Sequence, residues 1–550
     1  MTRSKTATRP GAACLAAVWI AVWLGACTGG GHKPPPPSTD IDENGFRNDV
    51  RMLASDEFEG RRPGTPGEER TVGFLVEQFR RYGLKPGVGD SFLQPVPLVE
   101  IAAGDATLAV EGHGGARRLE YARDMVIWSP REVSEASLQK SELVFVGYGI
   151  VAPEYEWNDY RQADVHGKTV VVMVGDPGYG SKDPQVFRGN AETYYGRWSY
   201  KVAEAGRQGA AGVLLIHDAG AAGSSWNVVV NDRAGPQVSA PAADGDGGHA
   251  AIEGWITLGA ARGLFKQAGL DFESLTTAAA RPGFKATAMG LEADATVHSL
   301  VRRFTSSNVV ALLPGTNHRR EVVAYTAHWD QLGRRGGDVF HGAVNDASGV
   351  AGLLMLAQSF SRTRPGPDRS IAFVAFTAGE TGLLQGSEYF VRQPTFSLRE
   401  TAAVLNLDLL RNGGPTRDVM VFGYGNSELE DYLRESALLQ GREVHPDPSP
   451  EQGFYYRSDA FSFAKIGVPA LYAVAGLDDS ARGPAYGRQQ FGDYLARRYH
   501  QPDDVYAADW DVRGSVEDLQ LYYEVGLRLA HSRRFPRFYP NSEFRLDRGP

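Results

Sequence analysis

The sequence predicts an α/β fold built on a mostly parallel sheet with helices on both faces. Three observations carry this. First, from residue 308 onward short apolar runs alternate with segments of helical period, which is how βα units read in sequence. Second, the chain has 550 residues, 42% hydrophobic and 22% charged, too long for one compact core but apolar enough to bury several. Third, no repeat of solenoid period is visible. With 57 basic against 66 acidic residues the net charge is −9, which argues against nucleic acid as a partner. Cys14 and Cys27 are the only cysteines, so a disulfide scaffold and a thiolate metal site are excluded beyond residue 27.

The chain opens with Arg3, Lys5 and Arg9, then an apolar stretch over 12–24 ending in Leu24-Gly25-Ala26-Cys27. A basic start, a short apolar core and small residues at a cut site describe a secretory signal over 1–27 rather than a spanning helix. The four-residue ending resembles the bacterial lipoprotein signal, which implies acylation of Cys27 and anchoring to a membrane through buried methylenes. Residues 28–40, rich in glycine and proline, read as a flexible tether.

Pro66-Gly67 opens a helix with Val72, Leu75, Val76 and Phe79 on one face, and Gly83 stops it. Between about 142 and 291 the texture changes to short strand-like runs (143–148, 169–174, 212–216) separated by glycine-rich loops. Strands are then expected at 308–313, 321–327, 371–377, 402–406, 419–423 and 470–474. Helices are expected at 349–360, 428–440 and 459–466.

The chemistry-bearing residues fall at strand ends. Strand 321–327 leads into His328-Trp329-Asp330, strand 371–377 ends near Glu380, and strand 402–406 ends at Asp408. Ligands gather beyond the carboxyl ends of parallel strands, so these three predict a metal site at one sheet edge. Asp346 precedes the helix at 349, and His500 lies in a late loop. Two imidazoles and three carboxylates without a thiolate suit zinc ions. Asp330 is placed to accept the second N–H of His328 and fix its tautomer.

Several segments resemble the co-catalytic zinc aminopeptidases of peptidase family M28, which includes leucyl aminopeptidases and glutamate carboxypeptidases. They are Ala327-His328-Trp329-Asp330, Gly342-Ala343-Val344-Asn345-Asp346-Ala347-Ser348-Gly349, Thr377-Ala378-Gly379-Glu380, Asn406-Leu407-Asp408, Arg457-Ser458-Asp459 and Tyr499-His500-Gln501-Pro502-Asp503. The resemblance implies a three-layer zinc-exopeptidase domain (41–125 and 293–550) with a smaller, β-rich protease-associated insert (126–292). It also implies hydrolysis of N-terminal residues from peptides. By position it places His328 and Asp408 on one zinc, His500 and a glutamate on a second, an aspartate bridging both, and Tyr499 as an oxyanion donor. The expected cofactor is therefore zinc, two ions by resemblance or one here, and the expected partners are a peptide and, through Cys27, an envelope membrane.

Three positions depart from that pattern. Asn345 stands where the bridging aspartate belongs, with Asp346 the adjacent carboxylate. Counting from Phe376, Gly379 replaces the general base and Glu380 is the ligand; counting back from Gly386, Glu380 is the base and Thr381 replaces the ligand. Ala460 replaces a histidine. Glycine transfers no proton, so on the first count Gly379→Glu, combined with exchange of Asn345 and Asp346, is expected to raise the rate. Two readings follow: a zinc exopeptidase, or a catalytically impaired relative that binds peptides or envelope components.

Overall fold

The computed structural model describes residues 41–179, 181, 183–242 and 248–545, which fall in one compact unit. The expected signal over 1–27, the expected tether over 28–40 and the expected lipid site Cys27 lie outside these residues.

A 16-stranded mixed sheet organises the described chain. Its central part runs in the order Asp418–Phe422, Ala470–Ala475, Thr401–Asn406, His318–His328, Arg369–Phe376 and Thr287–Leu313. The four strands from Ala470–Ala475 to Arg369–Phe376 are mutually parallel, so their carboxyl ends share one edge. They read as unbroken apolar runs because both faces are covered: every residue of Arg369–Phe376 and Thr401–Asn406 is buried. Helix Ser348–Arg362, fully buried over its first 13 residues, and helix Arg513–His531 pack against these strands. The expected helix after Pro66-Gly67 spans Pro66–Arg81 and buries Leu75 and Phe79.

Sequence periodicity did not foresee the length of the strand at 308–313. It begins at Thr287, well before 308, as Thr287–Leu313, and pairs antiparallel with Leu93–Gly112 to form a long ribbon. Polar residues alternate along its outer part, which is why only the apolar tail resembled a core strand. The ribbon leads from the central sheet to a second group of parallel strands, Glu135–Phe145, Thr169–Met173, Gly212–His217 and Ile252–Thr257. These bury their own apolar clusters, one around Phe145, Leu214 and Phe265, another around Val172, Leu215 and Trp255. Helices Trp198–Arg207 and Trp226–Arg233 belong to this part and reach the edge where the candidate ligands lie.

At the centre of the main core, Phe373 lies fully buried with its ring 5.6 Å from Tyr325, 6.4 Å from Phe79 and 6.3 Å from Phe360. Phe373→Ala leaves a cavity that these rings cannot close. We expect a loss of about 3–5 kcal/mol, read from the denaturant midpoint, with metal content unchanged in the folded fraction.

Candidate metal centre

The strand order delivers the residues. His328 ends its strand, Gly379 and Glu380 follow the adjacent strand, and Asp408 follows the strand on the other side. Asp346 sits in the turn 343–347 that starts helix Ser348–Arg362, and His500 lies between helices Gly483–Arg497 and Arg513–His531. One ligand atom from each of His328, Asp346 and Asp408 lies within 4.8 Å of the others. A second pair stands beside them: His500 Nε2 is 2.8 Å from Glu380 Oε1, and His328 Nε2 is 3.9 Å from Glu380 Oε2. Ala378, Leu409 and His500, each a ligand or a near neighbour of one, have positive φ values of 47°, 54° and 53°. Non-glycine residues adopt that region at a cost of about 1–3 kcal/mol, which the surrounding contacts must sustain.

The donor set fits a divalent ion. Asp408 Oδ1 and His500 Nε2 are buried without a hydrogen-bond partner, and the His500–Glu380 approach is not aligned as one. Burial, with Asp408 as a neighbouring charge, pushes the Asp346 carboxyl well above its ordinary range. Burial likewise raises Asp408 to about 6. Burial works against ionisation of Glu380, but the two imidazoles outweigh it and hold the carboxyl down at about 2. Both imidazoles are disfavoured as cations by burial and yet driven upward by the carboxylates around them. Orphaned ligand atoms amid buried negative charge are what a cation of charge two would satisfy.

Around the ligands, two carboxylates fix the loops. Asp330 was expected to grip the His328 imidazole with its side chain. Instead its main-chain carbonyl takes that place, 3.1 Å from Nδ1, with the carboxylate at 3.6 Å. The carboxylate accepts from the amides of Gly379, Glu380 and Thr381 and from the Thr381 hydroxyl, because that turn presents three unsatisfied N–H groups to it. Asp504 does the same for the opposite turn, accepting from the amides of Val344 and Asn345. Asn345 donates from Nδ2 to Glu380 Oε2 at 3.0 Å, so its amide stands between the two ligand groups. Tyr499 stacks on His500 with ring centres 3.8 Å apart.

Gly379 lies against His328. A Cβ there would come within 2.6 Å of His328 Cβ and 2.9 Å of its Cγ. The expectation that Gly379→Glu restores a base is therefore overturned: the added side chain displaces a metal ligand before it can act. Glu380 faces His500, with Oε1 2.8 Å from Nε2.

Asp232 was not foreseen. It sits in helix Trp226–Arg233 of the second strand group, and its Oδ1 accepts from His500 Nδ1 at 2.8 Å. Its neighbour Asn231 donates to the His500 carbonyl and to Gln501 Oε1. An aspartate between an asparagine and an arginine reads as solvated surface, and no spacing links it to residue 500. Tyr472, buried with its hydroxyl unpartnered, was likewise unforeseen and lines the same cleft. That cleft, of about 370 Å³, is also lined by His328, Asn345, Glu380, Asp408 and His500. Tyr194 and Trp198 line it as well.

The profile of peptidase family M28 matches residues 308–524, the stretch that carries every ligand above. This segment belongs to peptidase family M28. The chain is 28% identical over 211 residues to a probable zinc metalloprotease of Pyrenophora tritici-repentis, covering 36% of this chain and 47% of that one. It is 33% identical over 136 residues to aminopeptidase NAALADL1 of Mus musculus, covering 23% and 17%. It spans about half the length, or less, of these curated relatives. An aminopeptidase from Aneurinibacillus sp. strain AM-1 shares the fold, with a TM-score of 0.54 at 20% identity over 90% of this chain and 95% of that one.

Two outcomes follow for this site. Asp232→Asn removes the negative charge held against His500 Nδ1 and should weaken zinc binding by about 10- to 100-fold in chelator competition, with the circular dichroism spectrum unchanged. Gly379→Ala should lower zinc occupancy, measured by elemental analysis after reconstitution, because its methyl pushes on His328.

Proposed function

We propose that this chain is a zinc-dependent exopeptidase of the aminopeptidase type, held at the bacterial envelope by a lipid on Cys27. The convergence of His328, Asp346 and Asp408 within 4.8 Å, beside the Glu380–His500 pair, carries the reading. His328, Asp346 and Asp408 would hold the first ion tightly; Glu380 and His500, two ligands with the neutral Asn345 amide between, would hold a second more weakly. Zinc bound there supplies Lewis acidity toward the scissile carbonyl and the attacking water.

The chain's own residues set the rest. Burial raises the Tyr499 hydroxyl, so it keeps its proton at neutral pH and donates toward an oxygen gaining charge. The Glu380 carboxylate already faces His500 with one oxygen and Asn345 with the other. It is therefore a poor free base, and position 379 has no side chain to share the task. Loss of a general base costs about 10²- to 10⁴-fold in rate, so slow turnover is expected. That same crowding at Gly379 favours a second reading, a peptide-binding lipoprotein that has lost catalysis.

Assay of the zinc-loaded chain on aminoacyl chromogenic substrates separates the two. The expected result is slow hydrolysis, abolished by chelator, restored by zinc, and reduced at least about 10²-fold in Glu380→Ala. Peptide binding without any hydrolysis establishes the second reading instead. For the anchor, Cys27→Ser should move the protein from the membrane fraction to the soluble fraction, and an unchanged distribution overturns that part.

A further inference from the structure

One guanidinium outside the cleft ties together the two loops that carry His328 and Asp346. Arg61 is fully buried and, among the described residues, has no carboxylate within ion-pair distance. Its fork is spent on main-chain carbonyls instead. Nε donates to Trp329 at 2.9 Å, Nη1 to Leu53 at 2.7 Å and His341 at 2.6 Å, and Nη2 to Gly342 at 3.1 Å. Trp329 stands between His328 and Asp330, and Gly342 leads directly into the turn 343–347 that holds Asp346. Leu53 ends helix Glu43–Leu53, so the same fork fastens both loops to that helix.

Backbone conformation and charge both single this residue out. Glu59, Gly60 and Arg61 follow one another in the left-handed region, with φ of 51°, 66° and 51°. Non-glycine residues persist there only where surrounding contacts hold them, and the carbonyls gripped by Arg61 are such contacts. The segment is also closely packed, since a Cβ on Gly60 would come within 2.5 Å of the Phe340 carbonyl oxygen. A buried cation without a counter-ion is costly. Burial lowers Arg61 only to about 10, so it stays charged, and the carboxylates that act on it are Asp346, Asp330 and Asp504. All three belong to the metal site or to the turns against it. Asp504 takes the amides of Val344 and Asn345, while Arg61 takes the carbonyls of His341 and Gly342 just before them. The turn that presents Asp346 is thereby held from both sides.

We propose that Arg61 is a positioning residue for the metal centre, its fork fixing the separation of His328 and Asp346 that a single ion requires. This rests on the metal-dependent reading above and adds a residue that does not line the cleft. Arg61 touches neither ion nor substrate, so its effect reads in metal affinity and ligand geometry. The sign of that effect is diagnostic. Removing a nearby positive charge by itself tightens the hold on a cation, whereas loosening the two ligand loops weakens it.

Metal binding by the full chain decides it. Affinity for the first zinc ion is measured by chelator competition, and ligand geometry by the visible absorption of the cobalt-loaded protein. The variants are Arg61→Met, Arg61→Lys and, for comparison, Arg369→Met. Arg369 is buried to the same degree, donates to the Leu529 carbonyl and pairs with Glu321, at the end of its strand away from the ligands. Expected in Arg61→Met is at least about 10-fold weaker zinc binding and an altered cobalt spectrum. Arg369→Met should lower the denaturant midpoint and leave zinc affinity within about twofold of the parent. Arg61→Lys keeps the charge but cannot span the four carbonyls, so it too should bind zinc more weakly. It decides the matter if Arg61→Met does not fold. Zinc affinity within about twofold of the parent, or tighter, in the Arg61 variants that fold overturns the role, as does an equal loss in Arg369→Met. A parent chain that takes up no zinc overturns this role and the metal-dependent reading together. One that binds zinc but hydrolyses no peptide overturns the peptidase reading alone, while the affinity ratios still decide Arg61.

Discussion

Buried negative charge at one sheet edge is the constraint on which the site depends. Asp346, Asp408, Glu380 and Asp330 converge where little water reaches, and two imidazoles are the nearest positive groups. The chain spends backbone amides on Asp330 and Asp346, but Asp408 Oδ1 and His500 Nε2 keep no hydrogen-bond partner. Such a set is stable when a divalent ion completes it, which is why metal affinity and folding are coupled at sites of this kind. Left-handed backbone at Ala378, Leu409 and His500 shows where the fold holds residues in costly conformations to bring the ligands together.

Two structural layers share the work. The parallel strands fix His328, Glu380 and Asp408 by register, since each follows its strand's carboxyl end by at most a few residues. His500 is different: it comes from a loop and is gripped from the second strand group by Asp232 and Asn231. That group therefore does more than cover the cleft. It positions His500 and contributes Arg197 and Trp198 to the same cleft.

Position 379 shows how tightly such a site is packed. A carboxylate there would supply proton transfer, yet even a methyl group meets His328. A side chain at this point crowds the His328 imidazole, so a carboxylate placed there would have to move it. The neutral Asn345 amide, donating to Glu380, similarly replaces a charge with a hydrogen bond.

Sequence by itself determined the central strands, the helices at 349–360 and 428–440, and the placing of His328, Glu380 and Asp408 at one sheet edge. Apolar runs with a polar residue at the end are local signals, and parallel topology converts them into positions on one edge. Other features were decided only by tertiary structure: the exchange of Asp330 carboxylate for carbonyl against His328, the closure of position 379, and the grip of Asp232 on His500 across 268 residues of chain. Each depends on two segments meeting in space at a separation of a few ångströms, and nothing in the period or composition of either segment encodes that meeting.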